Sequence, residues 1–272
     1  MQDQSIYEKL KEYAKSDAYP FHMPGHKRKV DWISNVYDID ITEIDGFDDL
    51  HHADGILLEL EQRIAKLYGA DRSRILINGS TAGIMSAILG CVDRGGKLLV
   101  CGNGGSAADA EHIVGELMKG FKMPRKPRAD FAEKLMAENQ ELGTVLAENL
   151  QGALPVIALD GHPALSTAYM NDCEPLLCFA QQVNGYGKEG DVFLGISTSG
   201  NSKNILYAAV VAKAKGMKVV ALTGAKDSKL SQIADVTIKA PETRTYRIQE
   251  YHLPIYHCLC LMLEERFFGD NN

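Results

Sequence analysis

The chain has 272 residues, 45% hydrophobic and 24% charged, and a formal net charge of −7. That suits a soluble globular protein with room for one large domain, or for a domain with a sizeable extension. It argues against a nucleic-acid scaffold, which needs a basic face, and no apolar run approaches the ~18 residues of a membrane span. The six cysteines (Cys91, Cys101, Cys173, Cys178, Cys258, Cys260) form neither a C-x-x-C pair nor a disulfide framework. Buried free thiols in a reducing compartment are the expectation, and with a polar, charged N-terminus the expected location is cytoplasmic.

Ile6, Leu10 and Tyr13 recur at helical spacing among charged residues, so a short amphipathic helix is expected within residues 1–20. A Pro-Gly turn in Phe21–Lys27 breaks it. Residues 30–54 are acidic and irregular. Asp45, Asp48, Asp49, His51, His52 and Asp54 lie close together there, but without regular ligand spacing, which favours a solvated loop over a metal site. Residues 55–69 read as a helix stopped by Gly69. Arg74–Ile77 reads as a short strand, and Ser80 as the cap of a helix from about Thr81 to Val92.

The pattern changes near Gly95. Apolar runs suited to buried strands recur at Leu98–Cys101, Pro155–Leu159, Val192–Ile196, Lys218–Leu222 and Asp235–Ile238. Helical patterns separate them, at about 106–119, 174–184, 202–215, 227–233 and 247–266. Alternating β and α with short connections predicts an α/β fold, a five-stranded parallel sheet in a three-layer αβα sandwich, behind a mostly helical N-terminal arm. The polar stretch Gly120–Leu150 is expected to be a solvated loop excursion with one short helix near Phe131, Leu135 and Met136; a flap over the site and a subunit contact are the alternatives.

Three stretches carry chemistry. Gly102-Asn103-Gly104-Gly105-Ser106 follows a strand and opens a helix, a junction whose N–H groups and dipole favour an anion such as phosphate. His112 and Glu116 lie on that helix four apart, on one face. Ser197-Thr198-Ser199-Gly200-Asn201-Ser202 likewise follows a strand, and its four hydroxyls can wrap a phosphate without a lysine. In the last helix Gln249 and His257 are eight apart, on broadly the same side, although Pro254 between them removes an N–H and bends a helix. Two His, one Glu and one Gln can bind a divalent metal such as zinc.

Two resemblances follow from these words. Residues 5–97, through FHMPGHKR, DITEIDGFDDLHHADGIL, LELEQRIAKLYGA and LINGSTAGIMSAILGCVDRGGK, resemble the N-terminal part of the fold-type-I ornithine/lysine/arginine decarboxylases. In that family Ser80 and Thr81 would help hold pyridoxal phosphate. Nothing downstream supplies a Schiff-base lysine in a Ser-x-His-Lys setting, so no pyridoxal phosphate is expected and residues 1–94 are taken as a structural segment. Residues 95–267, within a domain taken as 95–272, resemble the flavodoxin-like SIS (sugar isomerase) domain family and its phosphoheptose isomerase branch. CGNGGSAADAEHIVGEL, Asn171-Asp172, GDVFLGISTSGNSKNI, KGMKVVALTG and RIQEYHLPIYH carry that likeness, in family order. It implies phosphosugar contacts from Asn103, Gly104, Gly105, Ser106, Asn171, Asp172, Ser197, Thr198, Ser199, Ser202 and Gln249. It implies zinc (Zn2+) held by His112, Glu116, Gln249 and His257, with Glu116 as base and His257 as acid. The implied protein is a homo-oligomer, tetramer or dimer, acting on a small phosphosugar such as sedoheptulose 7-phosphate, with no nucleic-acid or membrane partner. The alternative is a non-catalytic SIS module that binds a phosphosugar and regulates a partner.

Overall fold

A computed structural model describes residues 12–13, 47–48, 53–69, 72–75 and 79–269. The expected helix within 1–20 lies outside the described residues except for Glu12 and Tyr13, which are helical. The chain divides into two compact units, Met1–Leu76 and Ile77–Asn272.

In the first unit, helix α1 (Ile56–Tyr68) ends at Gly69 with φ 62°, a left-handed conformation that glycine adopts without steric cost. Of the acidic group upstream only Asp48 and Asp54 are described. Asp48 accepts the N–H groups of Asp54 (2.9 Å), Gly55 (2.8 Å) and Leu57 (3.0 Å), satisfying donors that the first helical turn leaves open. Its carboxylate serves the helix start. The strand expected at Arg74–Ile77 does not form at Arg74 and Ile75, which have no ladder; Glu61 instead accepts from Arg74 Nη1 (2.6 Å) and Ile75 N (3.0 Å).

The second unit opens with α2 (Gly79–Asp93), so Ser80 lies inside the helix rather than capping it. There follow β1 (Leu98–Cys101), α3 (Gly105–Met118), α4 (Ala129–Glu138), α5 (Gln140–Asn149), β2 (Val156–Ala158) and α6 (Pro163–Asp172). A 3-10 turn at Pro175–Leu177 leads into α7 (Cys178–Tyr186), β3 (Val192–Ile196), α8 (Lys203–Ala214), β4 (Lys218–Thr223), α9 (Lys229–Ile233), β5 (Val236–Lys239) and α10 (Thr245–Phe268). The five strands are all parallel in the order β2-β1-β3-β4-β5, with Leu98 opposite both Val156 and Val192.

Strand alternation builds the two core layers. Leu98, Val100, Leu194, Ile196, Val220 and Leu222 face one side, where α2, α3 and α10 bring Ile84, Ile113, Leu117, Leu259 and Leu263. Leu99, Cys101, Phe193, Val219 and Ala221 face the other, where α7, α8 and α9 bring Val183, Ile205, Ala208, Ala209 and Leu230. With both faces covered, β1 and β3 are buried along their whole length, hence their unbroken apolar wording. The three-layer sandwich is as expected. Helix α2 belongs to this sandwich, although its wording is part of the decarboxylase-like stretch.

The excursion after Gly120 departs from expectation. It holds two helices, α4 and α5, packed as a hairpin in which Gly143 approaches the Leu135 carbonyl so closely that a Cβ would collide with it. Its entry is pinned by Arg125, 2% exposed, a cation that a solvated loop would have left in water. Sequence reasoning also missed α6. A Pro at the first helical position, where its absent N–H is no loss, was the available signal.

Candidate functional site

Between β1 and β3 the winding reverses. The chain leaves β1 for α3 on one face of the sheet and leaves β3 for α8 on the other. Beyond the strand ends this opens a crevice, where doubly wound sheets bind ligands. The two turns expected to cradle phosphate both emerge there. Gly104 takes φ 58° and Gly200 φ 62°, and a Cβ at Gly102 would strike the Ser106 carbonyl. The residues preceding α3 and α8, Gly104 and Ser202, make no side-chain cap, although Asn204 Oδ1 accepts from Ile205 N at 3.0 Å; the remaining first-turn N–H groups stand at the strand ends beside the crevice. Ser197 Oγ lies 3.1 Å from Ser202 Oγ across the second turn. Asn204, which sequence reasoning missed, exchanges amide hydrogen bonds of 3.1 and 2.8 Å with Asn103 and ties the two turns together. A pocket of 220 Å³ adjoins the second turn, with Thr198, Ser199, Lys226, Thr243 and Thr245 among its lining residues.

The second half of the site is built where α3 and α10 run side by side in the same direction. Gln249 lies over Gly105, close enough that a Cβ there would be 2.5 Å from Gln249 Nε2. Seven residues further along each helix, nearly two turns, His112 meets Tyr256. His112 Nε2 is 3.1 Å from Glu116 Oε1, and His112 Nδ1 is 2.9 Å from the Tyr256 hydroxyl. The rings of His112 and His257 stand 5.0 Å apart, edge to face, with Phe121 5.4 Å from His257. Pro254 does not interrupt α10, which runs unbroken over 24 residues with the proline exposed. Gln249 and His257 therefore reach α3 at corresponding heights.

Two atoms of this cluster are buried without a hydrogen-bond partner: Glu116 Oε2, with Lys119 Nζ 3.7 Å away, and His257 Nε2. Unpartnered buried acceptors of this kind suit a cation, and imidazole, carboxylate and amide oxygen are zinc donors, so the set fits zinc chemically. As arranged within one chain, His112 and Glu116 engage each other. Among the described residues no three His, Cys, Asp or Glu side chains are gathered closely enough to hold a metal. Asn171 and Asp172 are exposed at the end of α6, where Asn171 Nδ2 donates to Asp172 Oδ1 at 2.8 Å.

Behind Glu116 lies a support that sequence reasoning did not single out. Arg125 donates from Nη2 to the Glu116 carbonyl (2.8 Å), from Nη1 to the Leu117 carbonyl (2.7 Å) and from Nε to Glu264 Oε1 (2.8 Å). It thereby satisfies carbonyls that the end of α3 leaves open. Glu264 also accepts the N–H groups of Phe121 (2.8 Å) and Lys122 (2.9 Å). Burial pushes the Glu264 carboxyl up, but those N–H groups and the guanidinium outweigh it and hold it below the usual carboxylate range. Asp160, beyond β2, is pushed the other way, to about 6, chiefly by burial, and both its oxygens are buried without a partner.

A SIS domain family model matches residues 141–224, and a model for the Orn/Lys/Arg decarboxylase major domain matches residues 4–109. The chain is 36% identical over 218 residues to the phosphoheptose isomerase of Nitratiruptor sp., covering 80% of this chain and 100% of that protein. It is 40% identical over 174 residues to that of Aneurinibacillus thermoaerophilus, covering 64% of this chain and 75% of that one. Among solved structures, phosphoheptose isomerase from Francisella tularensis aligns with a TM-score of 0.57 at 32% identity, over 76% of this chain and 94% of that one. The Neisseria gonorrhoeae enzyme gives 0.55 at 31% identity, over 76% and 93%.

Proposed function

Because the chain belongs to the phosphoheptose isomerase family and is a sugar-phosphate isomerase, we propose that it interconverts sedoheptulose 7-phosphate and D-glycero-D-manno-heptose 7-phosphate. The observation that carries this reading is the convergence of His112, Glu116 and His257 along two helices whose earlier turns lead to the phosphate cradle. Ser197, Thr198, Ser199 and Ser202, with Asn103, Gly104, Gly105 and Ser106, would hold the phosphate end and so fix the reacting carbons; Asn171, Asp172 and Gln249 would contact the sugar.

In the ketose-to-aldose direction Glu116 takes a proton from C1 while His257 protonates the C2 carbonyl oxygen, giving an enediol. His257 then removes the proton of the C1 hydroxyl and Glu116 returns its proton to C2, which completes the aldose. The partly buried position of His257 and the 9% exposure of Glu116 keep competing water away from both groups. His112, Glu116, Gln249 and His257 would hold zinc, which when bound polarises the substrate oxygens. The proposed assembly is a homo-oligomer, tetramer or dimer. Among the described residues no helix is long and apolar enough to cross a membrane.

The test is a coupled isomerase assay with sedoheptulose 7-phosphate and metal analysis on the same sample. Turnover that chelation abolishes and zinc restores is the expected result. Absence of turnover in the metal-loaded protein would overturn the substrate assignment, and full activity of metal-free protein would overturn the zinc role.

A further inference from the structure

One fully buried histidine has no part in the mechanism above. His252 lies on α10 between Gln249 and His257, with none of its surface exposed. Its Nε2 stands 3.3 Å from the Thr223 carbonyl oxygen. A carbonyl can only accept, so Nε2 carries the ring proton and donates it. Burial disfavours the charged ring, and in the neutral ring Nδ1 is then a bare lone pair, buried without a partner.

Thr223 ends β4 beside the Ser-rich turn. A Cβ at Gly200 would come 3.3 Å from the Thr223 methyl carbon, and the next residue, Gly224, donates its N–H to the Thr198 carbonyl at 3.1 Å. Ile248, one turn before His252 and on the same face of α10, packs on Gly224 so closely that a Cβ there would lie 2.5 Å from Ile248 Cδ1. Contacts therefore run from α10 through Thr223 and Gly224 to the phosphate cradle. His257 is carried on the same unbroken helix, five residues beyond His252.

Stability does not explain this histidine. The Thr223 oxygen already accepts from Ala240 N at 2.8 Å, so the bond from Nε2 is its second and longer one. A buried acceptor without a partner, such as Nδ1, costs folding energy that an apolar side chain of similar size avoids. We propose that His252 is a positioning residue that locks α10 to the phosphate cradle and so fixes how far His257 stands from a bound phosphate. This rests on the function proposed above. A substrate held by its phosphate brings its reacting carbons to His257 only at the right separation, and a misplacement of ~1 Å can cost about 10²-fold in rate.

The experiment compares the full chain with His252→Leu and His252→Gln. Four quantities are measured: turnover of sedoheptulose 7-phosphate by the zinc-loaded protein, calorimetric affinity for inorganic phosphate, zinc affinity by chelator competition, and the urea midpoint. In His252→Leu kcat should fall about 10–100-fold, while the affinities for inorganic phosphate and zinc stay within about twofold and the midpoint is unchanged or higher. Gln can place its amide nitrogen where Nε2 stood, so His252→Gln should recover most of the lost kcat. A His252→Leu protein as active as the parent would overturn the proposal, as would a loss that Gln does not reverse. So would a fall in phosphate affinity or in the midpoint that accompanies the loss of kcat, because His252 would then support the cradle or the fold instead of the separation between the two halves. Inactivity of the unsubstituted zinc-loaded chain would overturn the isomerase reading itself, and this proposal with it.

Discussion

The two halves of the site are finished to different degrees within one chain. At the crevice between β1 and β3 the polar groups have partners: Asn103 pairs with Asn204, Ser197 with Ser202, and the glycine turns hold positive φ. Along α3 and α10, Glu116 Oε2 and His257 Nε2 are buried without a hydrogen-bond partner. A cradle made of backbone and hydroxyls is complete once the strands end in register, because helix dipoles and N–H groups come with the fold. A cluster of ionisable side chains is complete only when something arrives to share its lone pairs. The first half therefore reads as binding and the second as chemistry.

That contrast can be broken by substitution, beginning where the effect should be largest. Glu116→Gln keeps shape and burial but removes the base. Turnover should fall about 10²–10⁴-fold, while phosphosugar binding measured by calorimetry stays within a few-fold; unchanged turnover would move the base elsewhere. Arg125→Ala strips Glu264 of its buried partner and uncaps the end of α3 behind Glu116. Breaking a buried pair from one side costs about 3–5 kcal/mol, readable as a lowered urea midpoint; a midpoint within error of the parent would mean that the backbone N–H groups alone support Glu264.

Ser202→Ala belongs to the other half. Loss of one hydroxyl from the cradle should raise KM about tenfold, near 1.4 kcal/mol, with kcat little changed. A fall in kcat at constant KM would place that residue in the chemistry instead and erase the distinction between the halves. Smallest is a pH effect at Asp160. Its carboxyl ionises at about 6 in the folded chain against 3.8 unperturbed, so the folded state binds the proton more tightly. The stability this gives is fully present below 3.8 and is lost as pH rises through about 6. Asp160→Asn should flatten that part of the stability profile, measured by urea unfolding between pH 4 and pH 7, and an unchanged slope would assign it to another group.

Much of this was legible in one dimension. Apolar runs such as Leu98–Cys101 and Val192–Ile196 declared a parallel sheet because strands buried on both faces need no alternation. The glycine turn and the Ser-rich turn pointed to the proposed anion cradle because their chemistry is local. The i, i+4 spacing of His112 and Glu116 was itself a statement about one helical face. The excursion 120–150 was misread because its charges and prolines describe a loop equally well, and only packing shows that Gly143 lets α5 approach α4 and that Arg125 is buried.

Sequence by itself therefore determined the layer architecture and the two glycine- and serine-rich turns at the strand ends, since each depends on periodicity or on neighbours a few residues away; the proposed roles of Glu116 and His257 came from the family resemblance. Tertiary structure decided what depends on separations of a hundred residues or more. It joined Asn103 to Asn204, set Gln249 over Gly105 and His257 beside His112, and brought Glu264 to Arg125 behind Glu116. It also decided that α2, worded like the neighbouring segment, packs into the core of the sheet. Periodicity marks which face of a helix is apolar, but not which helix will cover it. That choice is made by the strand order, which sends α3 and α10 to one face of the sheet and α8 to the other.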